Sequence, residues 1–184
     1  MKFGDIKRHL STYSIYARRK TTINHAFASA VAPSDRYDER KIRAAIASLG
    51  QDPNADLFCV YCGGRAETWD HVFATVRRGE FSGAGHRLGN LLPCCKQCNS
   101  RKGNKDWDKY IETLRVSTHL KKKRKRIIKA YLRSNFVTDE VPSFMPEYSA
   151  FLELRSQILL LMQKADKIAA EIRRNLQISH RKGA

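Results

Sequence analysis

Apolar positions recur at helical spacing toward both ends of the chain, and break into short, glycine-punctuated runs between Cys59 and Lys105. Residues 1 to about 33 carry mixed helical signals that stop at Pro33. Ser34-Asp35 then offers an N-cap for RYDERKIRAAIASLG, where Ile42, Ala45, Ile46 and Leu49 share a helical face and Gly50 supplies the stop. Gln51-Asp-Pro-Asn reads as a turn. Asn104 can cap a further helix with Trp107, Tyr110, Ile111 and Leu114 on one face. The basic segment HLKKKRKRIIKAYLRSNF follows, then a proline-containing linker over 139–146. From 147 to 178, Phe151, Leu154, Ile158, Leu161, Ala165, Ile168 and Ile172 alternate at steps of three and four, a heptad-like seam broken by Asn175. Such a seam suits a helix lying on its own domain and a homodimer through the C-terminal helix equally. The pattern predicts an α+β, mostly helical chain: an N-terminal helical segment (1–57), a small module (58–107) and a C-terminal basic and helical region (108–184).

Composition changes this picture in one respect. The 42% hydrophobic content is enough for a globular core, but 35 Lys and Arg stand against 18 acidic residues, a net charge of +17. An excess of that size implies a polyanionic partner, nucleic acid first and an anionic membrane surface second. No stretch approaches the roughly 18 apolar residues that span a bilayer. The N-terminus also lacks the apolar run of a signal peptide. The expected compartment is therefore cytoplasmic, where thiols stay reduced and the five cysteines read as metal ligands rather than disulfides.

Four of those cysteines form two knuckles, Cys59-Val-Tyr-Cys62 and Cys95-Lys-Gln-Cys98, with 32 residues between them. Each knuckle turns two thiolates toward one ion, and the two together complete a tetrahedral zinc site. Four thiolates leave no open position, so this zinc is structural, about one per chain. Cys94 lacks the two-residue spacing to Cys98 and reads as a small buried side chain. A redox pair would not need a second knuckle.

Between the knuckles lies ETWDHVFATVRRGEFSGAGHRLGNLLPCCKQCNSRKGNK. Asp70-His71, Asn90 in GNLLP and Asn99 in CNSRKGNK follow one another in the order of the HNH endonucleases. The segment from 58 to about 107 resembles the zinc-containing branch of that family. The resemblance implies a ββα-metal finger: a His-bearing strand, a loop, an Asn-bearing strand and a short helix. His71 is a suitable general base, because an imidazole accepts a proton at neutral pH. Asp70 and Asn99 offer hard oxygens for a catalytic Mg2+, which would stabilise the transition state and the departing 3′ oxygen. Strand alternation puts Asp70 on the face opposite His71, and the family's geometry implies a twist that brings them together. Asn99 stands where some members carry histidine, which favours Mg2+ over softer ions. The resemblance also implies that Asn90 is no ligand but holds the hairpin loop and orients His71 through its amide.

His86, in GAGHRLGN, reads as a solvent-facing loop histidine ahead of a substrate-phosphate contact or a substitute ligand, and His25 and Trp69 read as packing rather than catalytic residues. Arg77, Arg78 and Arg87 flank the hairpin as candidate phosphate clamps, joined by Arg101, Lys102 and Lys105 after Asn99. The run Lys121 to Arg126 would strengthen non-specific binding through counterion release, though on a helix it covers every side. The expected function is a metal-dependent endonuclease of double-stranded DNA, in a restriction or defence setting. A zinc-stabilised DNA-binding protein with a silent nuclease centre is the alternative, and an RNA-directed nuclease a weaker one.

Overall fold

A computed structural model describes residues 3–182. In chain order its helices and strands are α1 (Ile6–His9), α2 (Ile15–Val31), α3 (Glu39–Ser48), β1 (Thr68–His71), β2 (Val76–Arg77), β3 (Glu80–Phe81), β4 (Leu91–Cys94), α4 (Lys96–Lys102), α5 (Trp107–Glu112), α6 (Thr118–Asn135) and α7 (Pro146–Lys182). The architecture is α+β, with two small antiparallel sheets. The chain forms two compact units, residues 28–141 and residues 1–27 with 142–184.

Residues 28–141 are wider than the 58–107 module that the ligand pattern outlines, because one core draws on helices from both sides of it. Ala45, Ile46 and Leu49 of α3 join Tyr61, Val72 and Leu92, then Trp107, Tyr110 and Ile111 of α5, and Ile128 and Tyr131 of α6. The short hairpin cannot bury enough apolar surface alone, and these amphipathic helices supply the rest.

Helix α3 begins four residues beyond the expected cap. Asp38 caps it, its carboxylate accepting from the Lys41 amide at 3.1 Å. Asp35 is diverted to a partner far along the chain, accepting from the Leu88 amide at 2.8 Å and pairing with Arg87 at 3.0 Å. Asn104 likewise yields its capping place, since α5 starts after Asp106. The basic run folds into α6 and divides by face. Lys121 and Lys125 turn inward toward the Glu112 carboxylate, at 3.7 and 2.6 Å, while Lys122, Lys123 and Arg126 face solvent.

β1 pairs with β4 in the register Thr68↔Cys94, Trp69↔Pro93, Asp70↔Leu92 and His71↔Leu91. Helix α4 follows β4 directly and lies against β1. Asn90 sits in the 3-10 turn Leu88–Asn90 just before β4 rather than on the strand. A second hairpin, β2–β3, turns at Arg78 and Gly79, both left-handed at φ 53° and 87°, the arrangement that matches strand twist in a two-residue connection. Gly89 is required by its neighbours: a Cβ there would stand 1.9 Å from the Asn135 carbonyl oxygen at the end of α6.

In the other unit, Asp166 of α7 accepts from the Ser14 hydroxyl and the Ile15 amide, each at 2.7 Å, and so caps α2. Phe27 stacks on Phe151 with ring centroids 4.6 Å apart. Much of the heptad-like seam lies open to solvent. Leu154, Leu161, Ile168 and Ile172 are 55 to 61% exposed and form a solvent-facing apolar stripe along α7. Among the described residues, no helix is long and apolar enough to cross a membrane.

Candidate functional site

The cysteine end of the hairpin comes first in construction. The four Sγ atoms of Cys59, Cys62, Cys95 and Cys98 all lie within 4.8 Å of one another, and those of Cys62 and Cys95 are 3.7 Å apart. Zn–S bonds of about 2.3 Å at tetrahedral angles give S···S edges of roughly 3.8 Å, so the donor set fits one zinc. Local backbone explains the convergence. The first knuckle is closed by Cys59 N–H to the Gly64 carbonyl at 2.7 Å, and Gly64 N–H donates to the Cys62 sulfur at 3.4 Å. The second knuckle opens α4: Cys95 is its N-cap, and its sulfur accepts from the Cys98 amide. Contact with the Cys94 thiol holds Cys59 down at about 4, while burial pushes Cys62 and Cys98 up. A dication bound there would supply the charge that lets all four ionise together. Cys94 is fully buried as expected, its sulfur 3.9 Å from that of Cys59.

The middle of the hairpin corrects two expectations. Asp70 does not stand open to a metal: it is 2% exposed, its Oδ2 accepts from the Tyr61 hydroxyl at 2.7 Å, and its Oδ1 accepts from Lys102 Nζ at 3.1 Å. Lys102 is no phosphate clamp, since it is 1% exposed and also donates to the His71 carbonyl at 2.8 Å. The physical reason is alternation. Asp70 points to the core side of β1, and Lys102 lies one helical turn beyond Cys98 of the cysteine cluster, on the buried face of α4. That i+4 relation to a ligand was the available signal. Burial pushes the Asp70 carboxyl up in spite of Lys102 and Tyr61, so the network is a costly one held by good geometry.

On the opposite face of β1 stand Trp69, 43% exposed, and His71, half-buried. Trp69 is therefore not a packing residue, and His25 is likewise exposed. His86 is no solvent-facing loop residue either: its Nδ1 lies 3.0 Å from His71 Nε2, with the rings edge to face at 5.1 Å. Its loop is pinned by His86 N–H to the Pro33 carbonyl at 2.8 Å, an approach so close that a Cβ at Gly85 would meet the same oxygen at 2.4 Å. Nothing in the sequence spacing of 71 and 86 signals this pairing.

Asn90 is fully buried and holds the loop as the resemblance implies, but it does so without touching His71. Its Oδ1 accepts from Phe73 N–H at 2.9 Å, and its Nδ2 donates to the Phe73 and Gly85 carbonyls at 3.0 and 3.1 Å. The ring partner of His71 is instead His86. Burial first, then the neighbouring His86 and Lys102, hold the His71 imidazole down at about 4, so it is neutral at pH 7. Asn99 is half-buried, its amide donating to the Trp69 carbonyl at 3.4 Å.

The remaining cations divide. Arg87 is clamped between Asp35 and Asp139, which makes it a loop anchor. Arg77 is exposed beside Asp106 at 4.0 Å. Arg78, Arg101 and Lys105 are exposed near the hairpin turn and the end of α4. Compared with protein-family models, curated proteins and solved structures, the chain shows no significant match. Its chemistry must be argued from the residues.

Proposed function

We propose that this protein is a nuclease of the HNH type that hydrolyses phosphodiester bonds in DNA, duplex DNA foremost, with His71 as general base. The observation that carries the reading is the His71–His86 contact at 3.0 Å on the exposed side of a ββα unit. With its proton on Nε2, His71 donates to His86 Nδ1 and keeps the Nδ1 lone pair for a water molecule. The water oxygen forms a bond to phosphorus as its proton passes to His71 Nδ1, and the P–O bond to the leaving oxygen breaks. The imidazolium that results keeps its Nε2–H directed at His86, and the leaving oxygen takes its proton from solvent. Arg78, Arg101 and Lys105, all exposed, are the phosphate contacts in this reading.

Zinc fits the four cysteines and supplies folding energy rather than a reacting group. Mg2+ is the ion such hydrolysis ordinarily uses. The Asp70–Asn99 pair expected to hold it does not fit as it stands, because both Asp70 oxygens are already bonded and buried. That same observation favours a second reading, a DNA-binding protein whose nuclease centre is silent. Plasmid cleavage with Mg2+, run beside a DNA-binding assay, separates the two. Nicking by wild type that disappears in His71→Ala while binding persists is the expected result. Binding without cleavage by wild type overturns hydrolysis, and equal cleavage by both proteins overturns the role of His71.

A further inference from the structure

A cleft of about 510 Å³ opens beside the histidine pair, within the size range of small-ligand sites. One wall is the segment Asp35–Asp38 with the first turn of α3, and the other is His86 with Leu88 and Leu91. Two independent contacts join this cleft to His71. His86 lies 3.0 Å from the His71 ring, and Leu91 is the direct cross-strand partner of His71, so their side chains share one face of the hairpin.

The lining combines three kinds of group. Ile42, Leu88 and Leu91 make an apolar floor, and Tyr37 stands over it with 82% of its surface exposed. Such an exposed aromatic gains nothing for folding and offers a stacking face. Arg36 and Lys41 supply positive charge at the rim. The two carboxylates in the lining are already engaged: Asp35 holds Arg87 and the Leu88 amide, and Asp38 caps α3 and pairs with Lys41 at 3.8 Å. Among the described residues Arg36 is the lining cation with no carboxylate partner, and it stands beside an aromatic and an apolar surface. That combination matches a nucleotide, whose base stacks and whose phosphate is anionic.

We infer that this cleft binds one unpaired nucleotide of the DNA strand, with its base against Tyr37 and the apolar floor and its phosphate at Arg36 and Lys41. Bound so, it would place a neighbouring phosphodiester beside His71. The inference rests on the proposed hydrolysis only for what happens at that neighbouring phosphate. Binding in the cleft is a separate claim.

The test uses the full chain carrying His71→Ala and a single-stranded DNA hexanucleotide containing one 2-aminopurine. Stacking on Tyr37 quenches the probe. Tyr37→Ala is expected to remove the quenching and weaken binding about tenfold or more, and Tyr37→Phe to retain both. Arg36→Ala should lower the slope of log affinity against log salt by about 0.7, the value for one phosphate on a single strand. A thermal melt controls for folding. Full quenching and affinity in Tyr37→Ala overturns the site. If wild type cuts no plasmid but quenching still depends on Tyr37, the cleft stands and hydrolysis falls. If plasmid cleavage survives Tyr37→Ala and Arg36→Ala at full rate and no Tyr37-dependent quenching is seen, hydrolysis stands and the cleft falls.

Discussion

The two ends of the β1–β4 hairpin solve opposite problems within four residue pairs. At the Thr68↔Cys94 end, four sulfurs close on one another and backbone amides point at them. A tetrathiolate zinc there has no position left for substrate. At the His71↔Leu91 end, a half-buried imidazole meets a second imidazole and the edge of an open cleft. Between the ends, the pleat sorts neighbours by face: Asp70 goes inward to Tyr61 and Lys102, and Trp69 and His71 go outward. Strength is thus concentrated at one end and accessibility at the other. A side chain that is to react from a four-residue strand needs a stiff anchor close by, and the buried ion pair, with a metal on the four cysteines, would supply it.

The contrast breaks most severely if zinc is lost. Structural zinc in small domains contributes about 10 kcal/mol or more of folding free energy. Chelation, or Cys59→Ser, is therefore expected to unfold residues around the hairpin rather than slow a reaction. Metal analysis should find about one zinc per chain, and an unchanged melting curve in chelator would refute the assignment. Next in size is Asp70→Ala, which leaves the Lys102 ammonium buried without its carboxylate. A cost of about 3–5 kcal/mol is expected in chemical denaturation. The double change Asp70→Leu with Lys102→Met should recover most of it. Were Asp70 chiefly a metal ligand, its loss would leave stability intact and remove only cleavage.

These two tests concern features of very unequal legibility. Two residues between cysteines fix a knuckle through local chain geometry, so the four-cysteine cluster could be read directly from spacing. Helical faces of α3 and α5 were legible for the same reason, as periodicity is local. The Asp70–Lys102 pair was not, because it depends on α4 lying against β1, a tertiary fact joining residues far apart in sequence. Asp35 and Asp38 are equally good caps on paper. Only the distant Arg87 and Leu88, which claim Asp35, decide between them. His86 reaches His71 through a loop whose path is set by backbone contacts at Gly85 and Gly89, and no composition rule encodes that path. The α7 seam was legible as a pattern, yet which face covers α2 was decided by Phe27 and Asp166.

At the histidine end the expected signature is inverted, with little effect on stability and a large one on rate. His71 is only half-buried, so His71→Ala should shift unfolding by about 1 kcal/mol or less. Loss of a general base should slow cleavage roughly 10²- to 10⁴-fold. If His71→Ala unfolds the protein as Asp70→Ala is expected to, the division between anchor and reactive end is wrong.

The smallest effect is also the most diagnostic, because it depends on which groups surround the ring. Burial, then His86, then Lys102, hold His71 at about 4 in the fold, against about 6.5 in an unfolded chain. Between those values the unfolded chain binds a proton that the native protein does not, so His71 contributes stability that rises with pH across this window. That contribution is complete above about pH 6.5 and is lost as the pH falls toward 4. Zinc release also varies with pH, so the useful quantity is the wild-type stability minus that of His71→Ala, measured from pH 7 down to 5. It should fall as acid is added, and a flat difference would mean that His71 is not desolvated in the native state. The rate should agree with the stability. Cleavage should keep its acid limb well below pH 6.5. A limb already at 6.5 in the wild type would mean that the ring facing the substrate is an ordinary solvated histidine, and the exposed end of the hairpin would then lack the feature that sets it apart.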